Sequence, residues 1–176
     1  GHTLFYVLCQ EEERLERMLA EVSASHYGDD RPLVTWTSTA GFRAGDGEVE
    51  AITDPLAAVR HVAGAQREAF FLMEDLPARF DGNPDLVRAL RDLDKTLKDR
   101  NVHVFLSHPQ LVLPESLKGQ VFPAEMGMPT ERDIFDFLNR AIATQREPPQ
   151  TEEWISTCGA AMRGMSLYEI EHLLRR

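Results

Sequence analysis

The sequence predicts an α/β fold, a parallel sheet flanked by helices and followed by a small helical subdomain. Two observations carry this prediction. Short apolar runs rich in β-branched and aromatic residues alternate with longer amphipathic segments, and the last third has amphipathic segments alone. The apolar runs are continuous, as in strands buried on both faces of a parallel sheet. We therefore expect residues 3–129 to form the α/β core and residues 130–176 the helical subdomain.

The strands are predicted from five apolar runs. Four of them are Leu4–Leu8, Leu33–Trp36, Ala69–Met73 and Val102–Leu106. The fifth, residues 121–124, contains Pro123, which has no N–H to donate and therefore restricts this strand to an edge of the sheet. The glycine-rich stretch 41–47 follows the second strand and is interpreted as a solvent-facing hairpin or loop.

The helices of the core are predicted from apolar spacing and from start signals. Leu15, Met18, Leu19 and Val22 recur with helical period and predict a helix over about residues 11–23. The pairs Asp54-Pro55 and Asn83-Pro84 each combine an N-cap residue with proline at the first helical position, and they predict a second and a third helix. The third helix carries an apolar stripe of Leu86, Leu90, Leu93 and Leu97.

Three further start signals predict the helical subdomain. They lie at Thr130–Asp133, at Thr151 and at Ser166–Glu169, the last with the spacing of a capping box. A polar break at Gln145–Gln150 separates the first two of these helices. Both tryptophans, Trp36 and Trp154, fall on strand or stripe positions and are expected in the core, as are the phenylalanines.

Composition limits the classes of partner. The 176 residues include 19 Lys and Arg against 29 Asp and Glu, a formal net charge of −10. A nucleic acid or an anionic membrane would meet net repulsion, so we expect neither as a partner. Cys9 and Cys158 are far apart, so we expect no disulfide framework, no metal site and a cytoplasmic location. No apolar run reaches the ~18 residues of a membrane-spanning helix. Gly1 and His2 are interpreted as a remnant of tag cleavage from a longer parent protein.

The junction between the first strand and the first helix lacks the features of a phosphate-binding loop. Such loops use glycines and a lysine, together with backbone N–H groups at the helix start. Residues 8–14 read Leu-Cys-Gln-Glu-Glu-Glu-Arg, with neither glycine nor lysine. The three carboxylates satisfy the helix dipole and would repel a phosphate.

The candidate site residues follow the third and fourth predicted strands. Glu74 and Asp75 end an apolar strand, an arrangement that holds Mg²⁺ in nucleoside triphosphatases because it faces the ligand crevice. We expect this pair to face solvent, so that replacing both by Ala leaves the fold unchanged. His103 and His108 lie close in sequence, but a structural role is expected for His103 within its strand. The serines lack the setting of a catalytic nucleophile.

The order of these parts resembles an AAA+ ATPase module. The matching segments are the Walker B-like strand ending in Glu74-Asp75, the sensor-1-like strand ending in Ser107-His108, Leu113–Lys118, Met128–Asp133 and the lid-like helix at Gly164–Glu171. The opening, with Glu11–Leu15, Trp36–Phe42 and Asp54–Ala58, narrows the resemblance. It is similar to the degenerate N-terminal AAA-like domain of the AAA+ ATPases related to hypothetical chloroplast reading frame forty-six.

The resemblance implies a P-loop-like core, a helical lid and a site that has lost ATP turnover. Glu74 and Asp75 take the Walker B position in reversed order, and Ser107, or His108, takes the sensor-1 position. Walker A has no counterpart, and the arginine-finger region holds only Lys118-Gly119-Gln120. No catalytic residue and no cofactor is therefore expected in this chain, whereas ATP and Mg²⁺ would serve the parent protein.

Three functions remain open at this stage. The favoured one is a noncatalytic module that contacts other AAA+ subunits, the ATPase domain of the parent or a protein client. The alternative is an ATP/Mg sensor or ATPase domain with an atypical phosphate loop, in which Glu74 and Asp75 hold Mg²⁺. A third is an adaptor whose negative charge engages a basic partner.

Overall fold

The computed structural model describes residues 2–28, 33–45, 47–144 and 151–175. They divide into two compact units, Gly1–Met126 and Gly127–Arg176. The first unit contains the sheet and the second contains helices only in its described part. Within the described residues, no helix is both long and apolar enough to cross a membrane.

The first unit is built on one mostly parallel sheet. Among the described residues it has seven strands in the order β4-β3-β2-β5-β6-β1-β7. Their bounds are β1 Leu4–Leu8, β2 Val34–Thr37, β3 Gly41–Ala44, β4 Gly47–Glu50, β5 Ala69–Glu74, β6 Val102–His108 and β7 Val121–Glu125. The pairs β2–β5, β5–β6, β6–β1 and β1–β7 are parallel. The strand with Pro123 lies at the edge, as its missing N–H predicts.

The sheet is covered on both faces, which explains why its central strands are continuously apolar. On one face, Tyr6, Trp36 and Phe71 pack in a core with α2 (Pro55–Ala63) and α3 (Pro84–Leu97). On the other face, Val7 and Leu72 pack against α1 (Glu12–Tyr27) through its buried residues Leu15 and Leu19. The predicted α/β fold is confirmed.

The predicted start signals of α2 and α3 are confirmed at atomic detail. The Asp54 carboxylate accepts a hydrogen bond from Ala57 N at 2.7 Å. The Asn83 side chain accepts from Leu86 N at 3.1 Å, and proline follows each cap. The four leucines of the α3 stripe are all at most 2% exposed. Their burial fixes this helix against the sheet.

The glycine-rich stretch 41–47 was interpreted as a solvent-facing hairpin or loop. It belongs to a hairpin, but this hairpin extends the sheet through β3 and β4. Strand β3 pairs antiparallel with β2 and places Phe42 opposite Trp36, and both residues are fully buried. Gly41 has φ +79°, and a Cβ there would lie 2.6 Å from Glu50 O, so this position requires glycine. The start of the stretch, Gly41 and Phe42, is therefore buried in the sheet, whereas Arg43, Gly45 and Gly47 are exposed as predicted for a solvent-facing hairpin.

The second unit contains α4 (Glu131–Thr144), α5 (Glu152–Ala161) and α6 (Leu167–Leu174). Thr130 and Asp133 cap α4 reciprocally, Thr151 caps α5, and Ser166 forms a capping box with Glu169. Six side chains form its core: Ile134, Leu138, Ile155, Met162, Leu167 and Ile170. The predicted break at Gln145–Gln150 lies outside the described residues.

Several side chains expected in the core are exposed. Met18 and Val22 lie on the predicted stripe of α1, yet they are 38% and 48% exposed. Trp154 and Phe122 are 43% and 46% exposed. The helix α1 packs through a narrower line of residues than its periodicity suggests, and Phe122 lies on the edge strand β7, so these predictions of burial were wrong.

Candidate functional site

The carboxyl ends of β1, β5 and β6 lie side by side, because these strands are parallel neighbours. Glu74 lies opposite Ser107 in the β5–β6 register, and Leu8 lies opposite His108 in the β1–β6 register. The sheet thus brings the three predicted site residues Glu74, Asp75 and Ser107 together at one edge. In open α/β sheets this edge is where ligands bind.

Glu74 is buried, contrary to the expectation that it faces solvent. Its exposed fraction is 8%, and its carboxylate makes no hydrogen bond or ion pair with the side chains and backbone of the described residues. Burial and the negative charges of Glu16 and Glu12 raise its pKa to about 7, although Arg43 opposes this rise. Glu74 therefore exists in both protonation states near neutral pH.

Asp75 differs from its neighbour, because its side chain is 59% exposed. Its backbone adopts the left-handed conformation, with φ 53°, and its N–H donates to Ser107 O at 3.0 Å. This turn directs the chain out of β5 into a short 3₁₀ helix at Leu76–Arg79. His108 Nε2 lies 3.9 Å from the Asp75 carboxylate. The turn also places Asp75 near Glu12. Burial raises the pKa of Glu12, and the negative charge of Asp75 raises it further.

The start of α1 presents carboxylates at the place where phosphate loops present N–H groups. Glu11 is the N-cap, and its carboxylate binds Arg14 at 2.8 Å in a largely buried ion pair. Arg14 is thereby committed to Glu11. Glu12 and Glu13 occupy the first turn, where they complement the helix dipole. Burial raises the pKa of the Cys9 thiol, which accepts a hydrogen bond from Glu11 N.

The residues at this edge do not fit a nucleotide phosphate. A triphosphate is held by a loop of backbone N–H donors and by a lysine. Here only three residues, Cys-Gln-Glu, connect β1 to α1, and they include neither lysine nor glycine. Besides burial, the negative charges of Glu16 and Asp75 raise the pKa of both Glu12 and Glu74. Among the described residues, no group of three or more His, Cys, Asp or Glu side chains is arranged to hold a metal ion.

Two residues of this site were not anticipated from the sequence. Glu16 lies one turn after Glu12 on α1, and the i, i+4 spacing of the two carboxylates is the signal that could have identified it. Arg43 reaches the site from β3, and no local pattern in the sequence indicates this.

In the arginine-finger region, Lys118 forms an ion pair with Glu115 at 2.6 Å. His103 contacts the Tyr27 hydroxyl at 2.9 Å, in keeping with the structural role expected of it.

Solved structures show the same fold. One match is a katanin structure that concerns the self-assembly of katanin, with a TM-score of 0.59 and 13% sequence identity. Two others are the replication initiator DnaA bound to AMPPCP and single-stranded DNA (TM-score 0.52, 10% identity) and PCH-2 of C. elegans (TM-score 0.55, 13% identity). Each match covers 98% of this chain and 54–56% of the matched chain. The chain thus spans a little over half the length of these structures.

Sequence comparison identifies the family. No curated protein matches the chain. A family profile described as the N-terminal domain of SpoVK-like AAA ATPases matches residues 1–126, which is the whole of the unit that contains the sheet. This match confirms the expected resemblance to an N-terminal AAA-like domain. The chain belongs to the family of SpoVK-like AAA ATPase N-terminal domains.

Proposed function

We propose that this chain is a noncatalytic AAA-like module that contacts other AAA+ subunits, or the ATPase domain of its parent, and does not hydrolyse ATP. The observation that carries the proposal is the group of carboxylates at the carboxyl edge of the sheet. The charges of Glu16, Glu12 and Asp75 all act on the buried Glu74, and Arg14 at the helix start is paired with Glu11.

Electrostatics argues against a phosphate at this edge. Two unit charges 4 Å apart interact by about 4 kcal/mol at the effective dielectric constant of a protein surface. A triphosphate would meet several such repulsions without the backbone cradle that offsets them elsewhere. Even full protonation of Glu74 would remove only one of the four charges.

An intact fold without a nucleotide site can still serve contacts with other subunits. Core packing and ligand-binding loops are separate demands on a sequence, so a domain can keep one and lose the other. The matched katanin structure concerns self-assembly, and the matched family is that of N-terminal domains of ATPases. We extend this to a cytoplasmic assembly in which the parent's ATPase domain remodels protein clients and neither nucleic acid nor membrane is a partner.

The alternative is a nucleotide sensor, which the common location of Glu74, Asp75 and Ser107 favours. Calorimetric titration with Mg·ATP and Mg·ADP to millimolar concentration separates the two functions. We expect no heat of binding for the wild-type chain. Saturable binding that disappears in a Glu74→Gln/Asp75→Asn double variant would establish the sensor and overturn the proposal.

A further inference from the structure

An open groove of about 820 Å³ lies on the first unit, between the start of α3 and the segment that follows β6. Its volume is in the range of sites that bind small molecules or short peptide segments. One wall comes from the chain entering α3 and the other from residues 112–116. Six residues make most of the groove apolar: Phe80, Pro84, Val87, Val112, Leu113 and Pro114.

Hydrogen bonds hold both walls in place. Tyr6 belongs to β1, and its hydroxyl donates to Gln110 O at 2.5 Å and accepts from Val112 N at 3.0 Å. This hydroxyl ties the segment after β6 to the sheet. The Asn83 cap fixes the opposite wall. A groove formed before binding loses less conformational freedom when a ligand enters.

One cation in this groove is uncommitted. Arg88 and Arg91 both line it, and Arg88 donates two hydrogen bonds to Asp92, at 3.0 and 2.7 Å. Arg91 makes no ion pair with any described residue, and its Nε is covered by protein without an acceptor. Asp81 is the one acidic residue that lines the groove.

We propose that this groove binds an extended segment of a partner protein in which an Asp or Glu lies beside an aliphatic or aromatic side chain. The carboxylate pairs with the guanidinium of Arg91 and the apolar side chain lies against Phe80, Val87 and Leu113. A guanidinium matches the planar geometry of a carboxylate. The apolar wall favours a peptide over an inorganic anion. The proposal does not depend on whether the carboxyl edge of the sheet binds nucleotide.

Two labelled peptides test the proposal by fluorescence anisotropy on the full chain. They are the capped heptapeptide Gly-Leu-Glu-Phe-Glu-Leu-Gly and the same peptide with both Glu replaced by Gln. We expect the acidic peptide to bind the wild-type chain about tenfold more tightly, a difference of about 1.4 kcal/mol, because a carboxylate can pair with the Arg91 guanidinium and a Gln amide cannot form this charge pair. Equal affinity for the two peptides, or no binding of either at millimolar concentration, would overturn the proposal.

Variants locate the binding site. Arg91→Met should abolish the preference for the acidic peptide, and Arg91→Lys should restore part of it. Lys95→Met is the matched control, because Lys95 is exposed on the same helix and does not line the groove. An equal loss in Lys95→Met would show that general charge, and not the groove, binds the peptide. If Arg91→Met instead dissociates an oligomer in sedimentation velocity, a second copy fills the groove and the proposed partner is wrong.

Discussion

Replacing Glu74 by Gln should stabilise the first unit in a pH-dependent way. The pKa of this carboxyl is 4.5 without its folded surroundings and about 7 in the folded chain. Below pH 4.5 both states hold the proton, so the carboxyl does not affect the free energy of unfolding. Between pH 4.5 and 7 the unfolded chain releases the proton and the folded chain keeps it, so the free energy of unfolding falls as pH rises.

The magnitude follows from the same two values. The interval from 4.5 to about 7 corresponds to roughly 3 kcal/mol once the pH exceeds both. Gln has nearly the shape of Glu and cannot ionise, so Glu74→Gln removes this destabilisation. We expect its advantage over the wild type to grow by about 2 kcal/mol between pH 5 and pH 8.

Urea unfolding followed by tryptophan fluorescence measures this difference. Trp36 is fully buried in the first unit, and Trp154 is half exposed in the second, so a Trp154→Phe background makes the signal specific. Glu125→Gln is the control, because it removes an exposed carboxylate at the end of β7. A pH-independent advantage of Glu74→Gln, or the same trend in Glu125→Gln, would refute the reasoning.

Three further substitutions test the packing and the hydrogen bonds of the first unit. Leu93→Ala should lower the free energy of unfolding by about 2–5 kcal/mol in urea titrations, because Leu93 is 2% exposed and its removal leaves a cavity. Asp54→Ala should lower the free energy of unfolding by about 1 kcal/mol in the same titrations, since it removes the side chain that accepts from Ala57 N. Asp54→Asn keeps an acceptor at this position and should retain most of the stability. Tyr6→Phe should cost about 1–3 kcal/mol and speed amide exchange at Val112, and unchanged exchange would show that the hydroxyl does not hold this segment.

Features set by neighbours in sequence were predictable. The caps at Asp54 and Asn83, the leucine stripe of α3 and the edge position of Pro123 each depend on a few consecutive residues or on a single missing N–H. The hairpin β3–β4 was not predicted as part of the sheet. Its decisive features are the pairing of Phe42 with Trp36 and the close approach of Gly41 to Glu50, which are contacts between strands.

In the candidate site, too, the features set by a few consecutive residues were predictable, and those set by contacts between distant residues were not. The sequence places Glu74, Asp75 and Ser107 at strand ends, and the parallel register of β5 and β6 brings them together. The burial of Glu74 was not predictable from its position at a strand end. The pKa of Glu74 depends on this burial, and then on the charges of Glu16 and Glu12 on α1 and of Arg43 on β3. Side chains from three separate elements therefore decide the protonation state of this residue.

The carboxylates at this edge link the stability of the chain to its function. They take no part in the apolar core, which consists of the strand interiors and the apolar lines of α1, α2 and α3. An ionised Glu74 beside Glu12 and Glu16 destabilises the folded state, and the same charges repel a phosphate. Binding of a cationic group at this edge would relieve both effects, whereas binding of a nucleotide would aggravate them. The electrostatics that lowers the stability of this domain at neutral pH is thus the reason to seek its function in contacts with proteins.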